Sequence, residues 1–122
     1  MGAFGKLQAI MFVTLLSKPF KDWKAYKLGL IDLKGKKIKE PQTSEEKKAL
    51  GMFENLVRKI KSIIMKFLPS SNYLQFVLAA YLLKENVSDE ENEAKKAIDE
   101  VLTEEENELL MKIISNKIIH SK

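Results

Sequence analysis

We predict that this chain folds as an all-α domain, or nearly so. The expected architecture is a compact bundle of about five helices with a small β-hairpin near residues 30–39. Residues 1–122 are expected to form one helical domain. Three observations predict this class. Apolar residues recur at helical spacing over most of the chain. Three of these segments begin with a Ser/Thr-x-x-Glu capping pattern. A content of 45% hydrophobic and 31% charged residues is ordinary for one folded domain of this length.

The first predicted helix runs from about Phe4 to Ser17, and it ends there because the residue before Pro19 disfavours the helical conformation. A short helical turn follows, with three aromatic residues spaced by three on one face: Phe20, Trp23 and Tyr26. Aromatic residues at this spacing are more typical of a core. A stacking platform for single-stranded nucleic acid stays open as the alternative, because lysines alternate with them at positions 18, 21, 24 and 27.

Residues 30–39 predict the hairpin, since two short apolar-polar stretches flank a turn that begins with Asp32 and ends with Gly35. The pattern after Pro41 predicts one amphipathic helix of about seven turns that ends at Pro69. A capping box at Thr43 and Glu46 opens this helix. Its polar side carries Lys47, Lys48, Glu54, Asn55, Arg58, Lys59, Lys61, Ser62 and Lys66.

Three further helices are predicted. The helix from Tyr73 to about Glu85 is apolar almost all round, so we expect it to be the central, most buried element. Capping boxes at Ser88 and Thr103 open the last two helices. The final helix carries an apolar stripe of Leu109, Leu110, Ile113, Ile114 and Ile118.

The sequence predicts no catalytic residue, no metal ligand and no cofactor, and therefore a protein that is not an enzyme. The chain has no cysteine, which excludes disulfides, thiolate metal sites and a cysteine nucleophile. The one histidine, His120, lies two residues from the end of the sequence, where a Ser-His-Asp triad is improbable. The acidic runs at 89–93 and 104–108 lack the spacing of a calcium loop and suit helix N-termini.

Charge is divided unevenly along the chain. Residues 1–68 hold 15 Lys/Arg and 6 Asp/Glu, a net charge of +9, whereas residues 69–122 hold 6 and 11, a net charge of −5. The two halves could attract each other within one chain or between copies. The first interpretation is favoured, so we expect the free protein to be a monomer.

Basic residues of the hairpin and the long helix form the candidate surface for contact with nucleic acid or a protein partner: Lys36, Lys37, Lys47, Lys48, Arg58, Lys59 and Lys66. A solvated helix face that keeps the protein soluble is the simpler interpretation of the same residues. No apolar stretch has the length of a membrane span, and the longest one, from Tyr73 to Leu83, has 11 residues. We therefore expect no stable membrane insertion.

Residues 15–68 carry a series of motifs that includes Lys18-Pro19-Phe20, Trp23, Ala25-Tyr26-Lys27-Leu28-Gly29, Ile31-Asp32, Gly35-Lys36-Lys37 and Phe53-Glu54-Asn55-Leu56-Val57-Arg58. This series resembles a family of small proteins from tailed-bacteriophage genomes, usually left without a name or labelled virion structural protein. The resemblance implies a non-catalytic virion structural or head-assembly protein that acts through contacts with phage or host proteins. It also implies a location in the host cytoplasm, with incorporation into the virion. It assigns no site residue. The alternative is a nucleic-acid-associated accessory protein that uses the basic helix face.

Overall fold

The computed structural model describes residues 2–85 and 87–114, with side chains described from residue 7 onward. This part of the chain contains seven α-helices and no β-strand, which confirms the predicted all-α class. The helices are α1 (Gly2–Ser17), α2 (Lys24–Lys27), α3 (Ser44–Ala49), α4 (Met52–Ile64), α5 (Tyr73–Val77), α6 (Asp89–Val101) and α7 (Glu104–Ile113). Single 3₁₀ turns lie at Phe20–Asp22 and Ser70–Asn72, and α5 continues as a π-helix over Leu78–Leu83.

The centre of the core is α4, which packs against α1, α6 and α7. Its inward residues Leu56, Val57, Ile60 and Ile64 are completely buried. The apolar sequence of the helix that begins at Tyr73 predicts that this helix, and not α4, lies at the centre of the core. It instead packs against α1 and leaves Leu83 53% exposed. The strongly amphipathic helix is the central one because its continuous apolar face can be covered by three neighbours.

The long helix predicted after Pro41 is two helices, and that prediction was wrong. The helix α3 ends at Ala49, Leu50 is its C-cap residue, and Gly51 adopts an extended conformation (φ −85°, ψ −166°) before α4 begins. The Glu54 carboxylate accepts a hydrogen bond of 3.1 Å from the Gly51 N–H and so caps α4. The break lets Leu50 reach the core, where it is 3% exposed. Since α4 ends at Ile64, residues 65–67 form a turn beyond it.

The predicted hairpin is a turn closed by one antiparallel bridge between Ile31 and Lys37, without strands. A side chain organises this turn. The Asp32 carboxylate accepts hydrogen bonds from the backbone N–H groups of Lys34 and Lys36, both at 2.9 Å. The hydrogen bond from Lys36 is the main reason that the pKa of Asp32 lies below its usual range.

The aromatic segment belongs to the core. Phe20 and Trp23 are 3% and 2% exposed, and their ring centroids lie 4.9 Å apart. The indole N–H of Trp23 donates a hydrogen bond of 3.1 Å to the Lys18 carbonyl, so its one polar group is satisfied. With both rings buried, these two side chains are not available as a stacking platform. Tyr26 is half-buried.

The three predicted capping boxes are present, at Thr43–Glu46, Ser88–Glu91 and Thr103–Glu106. Along α7 the predicted stripe is directed inward, with Leu110, Ile113 and Ile114 buried. Ile118 and His120 lie outside the described residues.

Candidate functional site

Three of the seven predicted contact residues make contacts within the fold. Arg58 donates from Nε to Asn55 Oδ1 at 2.9 Å and from Nη1 to the Gly35 carbonyl at 3.0 Å. Burial lowers the pKa of Arg58, and the nearby Glu106 carboxylate opposes that shift. Arg58 therefore attaches the 31–37 turn to α4. Lys37 forms an ion pair of 2.8 Å with Glu40.

Lys59 joins the basic and acidic halves of the chain. Its ammonium donates to both carboxylate oxygens of Glu106, at 2.9 and 3.1 Å. The Lys59 side chain is 26% exposed and that of Glu106 is 8% exposed. The same carboxylate accepts a hydrogen bond from the Thr103 N–H and so caps α7. One carboxylate thus starts α7 and attaches it to α4.

The other four predicted contact residues are exposed: Lys36, Lys47, Lys48 and Lys66. They belong to three separate parts of the fold, namely the 31–37 turn, α3, and the turn that follows α4. On one continuous helix, Lys48, Lys59 and Lys66 would lie in one row. The break at Gly51 separates the first from the second, and the end of α4 separates the second from the third, so that row is not a feature of the fold.

Lys61 was predicted to lie on the polar face and is buried at 5% exposure. Its ammonium donates a hydrogen bond of 2.8 Å to the Leu16 carbonyl at the end of α1. It also lies 5.5 Å from the ring centroid of Phe20 and 5.0 Å from that of Tyr73. Burial lowers the pKa of this lysine. The sequence did contain a signal, since position 61 is in helical register with the apolar residues at 57, 64 and 68.

A surface that the sequence analysis missed lies on α1. Leu7, Ile10 and Met11 are 54%, 57% and 39% exposed, and their spacing of i, i+3 and i+4 places them on one face of the helix. We call these three residues the α1 stripe. The uniformly apolar sequence of α1 suggests only burial. The hint was its length, because 16 residues of mostly apolar helix offer apolar surface all round, more than the helices packed against it cover.

The α1 stripe leads into a concave region, here called the α1 groove, with a volume of about 350 Å³. Its apolar wall comes from α1, the 23–25 segment and the end of α3, and its basic rim comes from three lysines. The lining residues are Met11, Thr14, Leu15, Lys18, Trp23, Lys24, Ala25, Lys48, Ala49 and Glu54.

A second cavity of about 630 Å³ lies between the π-helix, α6 and α7. The Tyr81 hydroxyl lines it and donates to Asp99 Oδ1 at 3.1 Å. Lys95 pairs with the same carboxylate at 2.9 Å and lies 5.0 Å from the Tyr81 ring centroid. Burial, with Asp99 close by, raises the pKa of Tyr81. The Tyr81 hydroxyl, the Asp99 carboxylate and the Lys95 ammonium are therefore one another's polar partners. A structural role explains their arrangement.

Within the described residues, no three His, Cys, Asp or Glu side chains come together in a way that could hold a metal ion. The helices of that same part of the chain include none with the length and apolar character to cross a membrane. Comparison of the chain with protein-family models, with curated proteins and with solved structures finds no match.

Proposed function

We propose that this chain is a non-catalytic bacteriophage protein, a virion structural or head-assembly component that acts through protein–protein contacts. The observation that carries the contact role is the α1 stripe. Single exposed apolar side chains are normal on a protein surface, but a contiguous patch that continues into a groove is typical of an interaction site. The phage context rests on the resemblance of residues 15–68. The partners would be phage or host proteins, met in the host cytoplasm or in the particle.

The charge distribution supports a protein partner over nucleic acid. Two of the seven predicted basic contact residues, Arg58 and Lys59, have their charged groups engaged with Gly35, Asn55 and Glu106. Phosphate binding depends on cations that can exchange solvent counterions for phosphates. Because Arg58 and Lys59 are engaged within the fold, fewer cationic side chains remain to bind phosphates.

Mass spectrometry of purified virions and of assembly intermediates, from the phage that encodes this chain, tests the proposal. We expect the chain to copurify with particles or with capsid precursors. A matched pair of substitutions tests the surface. Ile10→Glu introduces a charge into the α1 stripe and should lower particle yield, whereas Met65→Glu, at a residue that is 41% exposed outside the stripe, should not. A chain that is absent from both particles and intermediates, with equal yields for the two variants, would overturn the proposal.

A further inference from the structure

We propose that the α1 groove binds an acidic amphipathic helix of a different protein. This inference deepens the proposed function and rests on it, because it assigns a chemistry to the partner at the same surface. It follows from the shape of the groove, the apolar residues that lead into it and the charge of its rim.

The shape suits the side chains of a helix. Ala25 and Ala49 are small lining residues, and Met11 and Leu15 of α1 line the same concavity. The volume of about 350 Å³ is far larger than the ~30 Å³ that one water molecule occupies. Methionine adapts its conformation to different neighbours, so Met11 can fit partners of varied shape.

The apolar surface extends beyond the groove along α1. Leu7, Ile10, Met11 and Thr14 follow the i, i+3, i+4, i+7 spacing that a helix presents to a helical partner. Two turns of α1, about 10 Å at 1.5 Å per residue, are therefore open to a helix lying alongside. This spacing is the one that packs against the apolar face of a helical partner, and the described residues contain no strand whose edge an extended peptide could join.

The rim of the groove is basic, with Lys18, Lys24 and Lys48 contributed by different parts of the fold. The one lining carboxylate, Glu54, caps the Gly51 N–H, and burial raises its pKa. Lys24 does pair with Glu45, but both side chains are more than 60% exposed and an ion pair of this kind is weak. The rim therefore retains an excess of positive charge, which is complementary to acidic residues beside the apolar ridge of a partner.

A second copy of this chain is a poor candidate for the occupant. Its acidic helices α6 and α7 carry many carboxylates, but within the described residues Val101 is their one large exposed apolar side chain. They lack the apolar ridge that the groove and the α1 stripe would bury. An anionic membrane would match the charge, but contact with a bilayer surface leaves the concave part of the groove, with Ala25 and Ala49, without a complementary ridge. A separate protein with both an apolar ridge and acidic flanks satisfies both requirements.

Trp23 makes the proposal testable by fluorescence, because it lines the groove and is the only tryptophan of the chain. The probes are two tryptophan-free synthetic helical peptides with the same leucine stripe at i, i+3, i+4 and i+7. One has glutamates flanking the stripe and the other has lysines. Because Trp23 is only 2% exposed, anisotropy of the fluorescently labelled peptides measures affinity and Trp23 emission reports contact at the groove. We expect the glutamate peptide to bind saturably and at least about tenfold more tightly than the lysine peptide, a difference of ~1.4 kcal/mol.

Two matched pairs of variants locate the binding site. Lys48→Glu on the rim should weaken binding of the glutamate peptide about tenfold, ~1.4 kcal/mol, and Lys66→Glu, at an exposed lysine outside the groove, should leave it unchanged. Met11→Ser should weaken binding, whereas Met65→Ser, at a residue of similar exposure, should not. Circular dichroism melting of each variant checks that the fold is retained.

Equal binding of the two peptides, no binding, or equal effects within each pair would overturn the proposal. Binding to anionic phosphatidylglycerol vesicles but not to the glutamate peptide, with loss in Lys48→Glu, would also overturn it and assign the groove to a membrane surface. The virion experiment is independent of these measurements. If the chain is absent from particles and from assembly intermediates, and the two yield variants behave alike, but the chain binds the peptide, the proposed function fails and the groove inference stands.

Discussion

Gly35 is the residue at which the 31–37 turn, the aromatic core and α4 meet. Its φ of +84° lies in the left-handed region that favours glycine. A Cβ at this position would lie 2.3 Å from Cζ of the Phe20 ring, which is closer than non-bonded carbon atoms can approach. Its carbonyl accepts the hydrogen bond from Arg58. Gly29 is a natural comparison, because its φ is +78° and a Cβ there would meet no atom within 4 Å.

We expect Gly35→Ala to destabilise the fold by about 2–5 kcal/mol. About 1–2 kcal/mol arises from the left-handed backbone, and about 1–3 kcal/mol arises from forcing the buried Phe20 ring aside. Gly29→Ala should cost the backbone part alone, about 1–2 kcal/mol. Urea denaturation followed by far-ultraviolet circular dichroism measures both variants. Equal losses would show that Phe20 moves freely and that the close packing of Gly35 is unimportant.

The burial of a side chain could be predicted from the sequence where its residue type alone decides it. It could not be predicted where the residue type and the position on the helix indicate opposite outcomes. The burial of Trp23 follows from its large apolar ring, and the structure confirms it. The charge of Lys61 predicts exposure to solvent, although its register is that of the apolar face. Its burial depends on the Leu16 carbonyl and on two aromatic rings from distant segments, none of which the local sequence specifies.

At the scale of elements, the residues at which helices begin could be predicted better than the places where a helix is interrupted. A capping box is a local arrangement of four residues, so the sequence alone identified all three. The break at Gly51 was missed because the apolar pattern continues through it. A glycine inside a continuous helix would cost about 1 kcal/mol, which the break avoids, and burial of the Leu50 side chain favours the break by a further ~1.5–3 kcal/mol.

The capping carboxylates should differ in their importance for stability. Glu106→Ala should destabilise the fold by about 3 kcal/mol, because it leaves Lys59 without its partner and removes one of the two hydrogen bonds of the capping box, whereas the Thr103 hydroxyl still accepts from the N–H of residue 106. Glu91→Ala removes the corresponding hydrogen bond of its capping box with no such ion pair and should cost about 1 kcal/mol. Thermal and urea unfolding compare the two variants. A loss no larger for Glu106→Ala would mean that the ion pair does not hold α7 on α4.

The whole molecule combines a predictable fold class with a surface that the sequence does not reveal. The all-α class follows from composition and periodicity, which are properties of the entire chain. The α1 stripe and the α1 groove depend on which apolar residues find a neighbour, and that is decided only when the helices pack. For the same reason, seven basic residues that look like one face from the sequence lie on separate elements, and two of them are engaged inside the fold.

The nucleic-acid alternative is tested at this scale, through the charge of the molecule. The three residues to change are Lys36, Lys47 and Lys66, which are exposed and lie outside the α1 groove. Lys59 is left intact, because a glutamate there would face Glu106 and destabilise the fold. All three side chains are exposed, and Lys47, the one of them on a helix, has a helix propensity similar to that of glutamate, so replacing the three lysines with glutamate should preserve the fold.

We expect the wild-type chain to show no measurable affinity for labelled DNA or RNA at about 150 mM salt, where surface charges are screened over about 8 Å. The net charge of +9 on residues 1–68 is partly offset by the net charge of −5 on residues 69–122. In addition, Arg58 and Lys59 are engaged in contacts within the fold. Fluorescence anisotropy titrations at low salt and at about 150 mM salt provide the measurement. Affinity that persists at the higher salt and disappears in the triple glutamate variant would instead favour the accessory role on nucleic acid. That outcome would leave the proposal for the α1 groove untouched, because the groove lysines are unchanged in the variant.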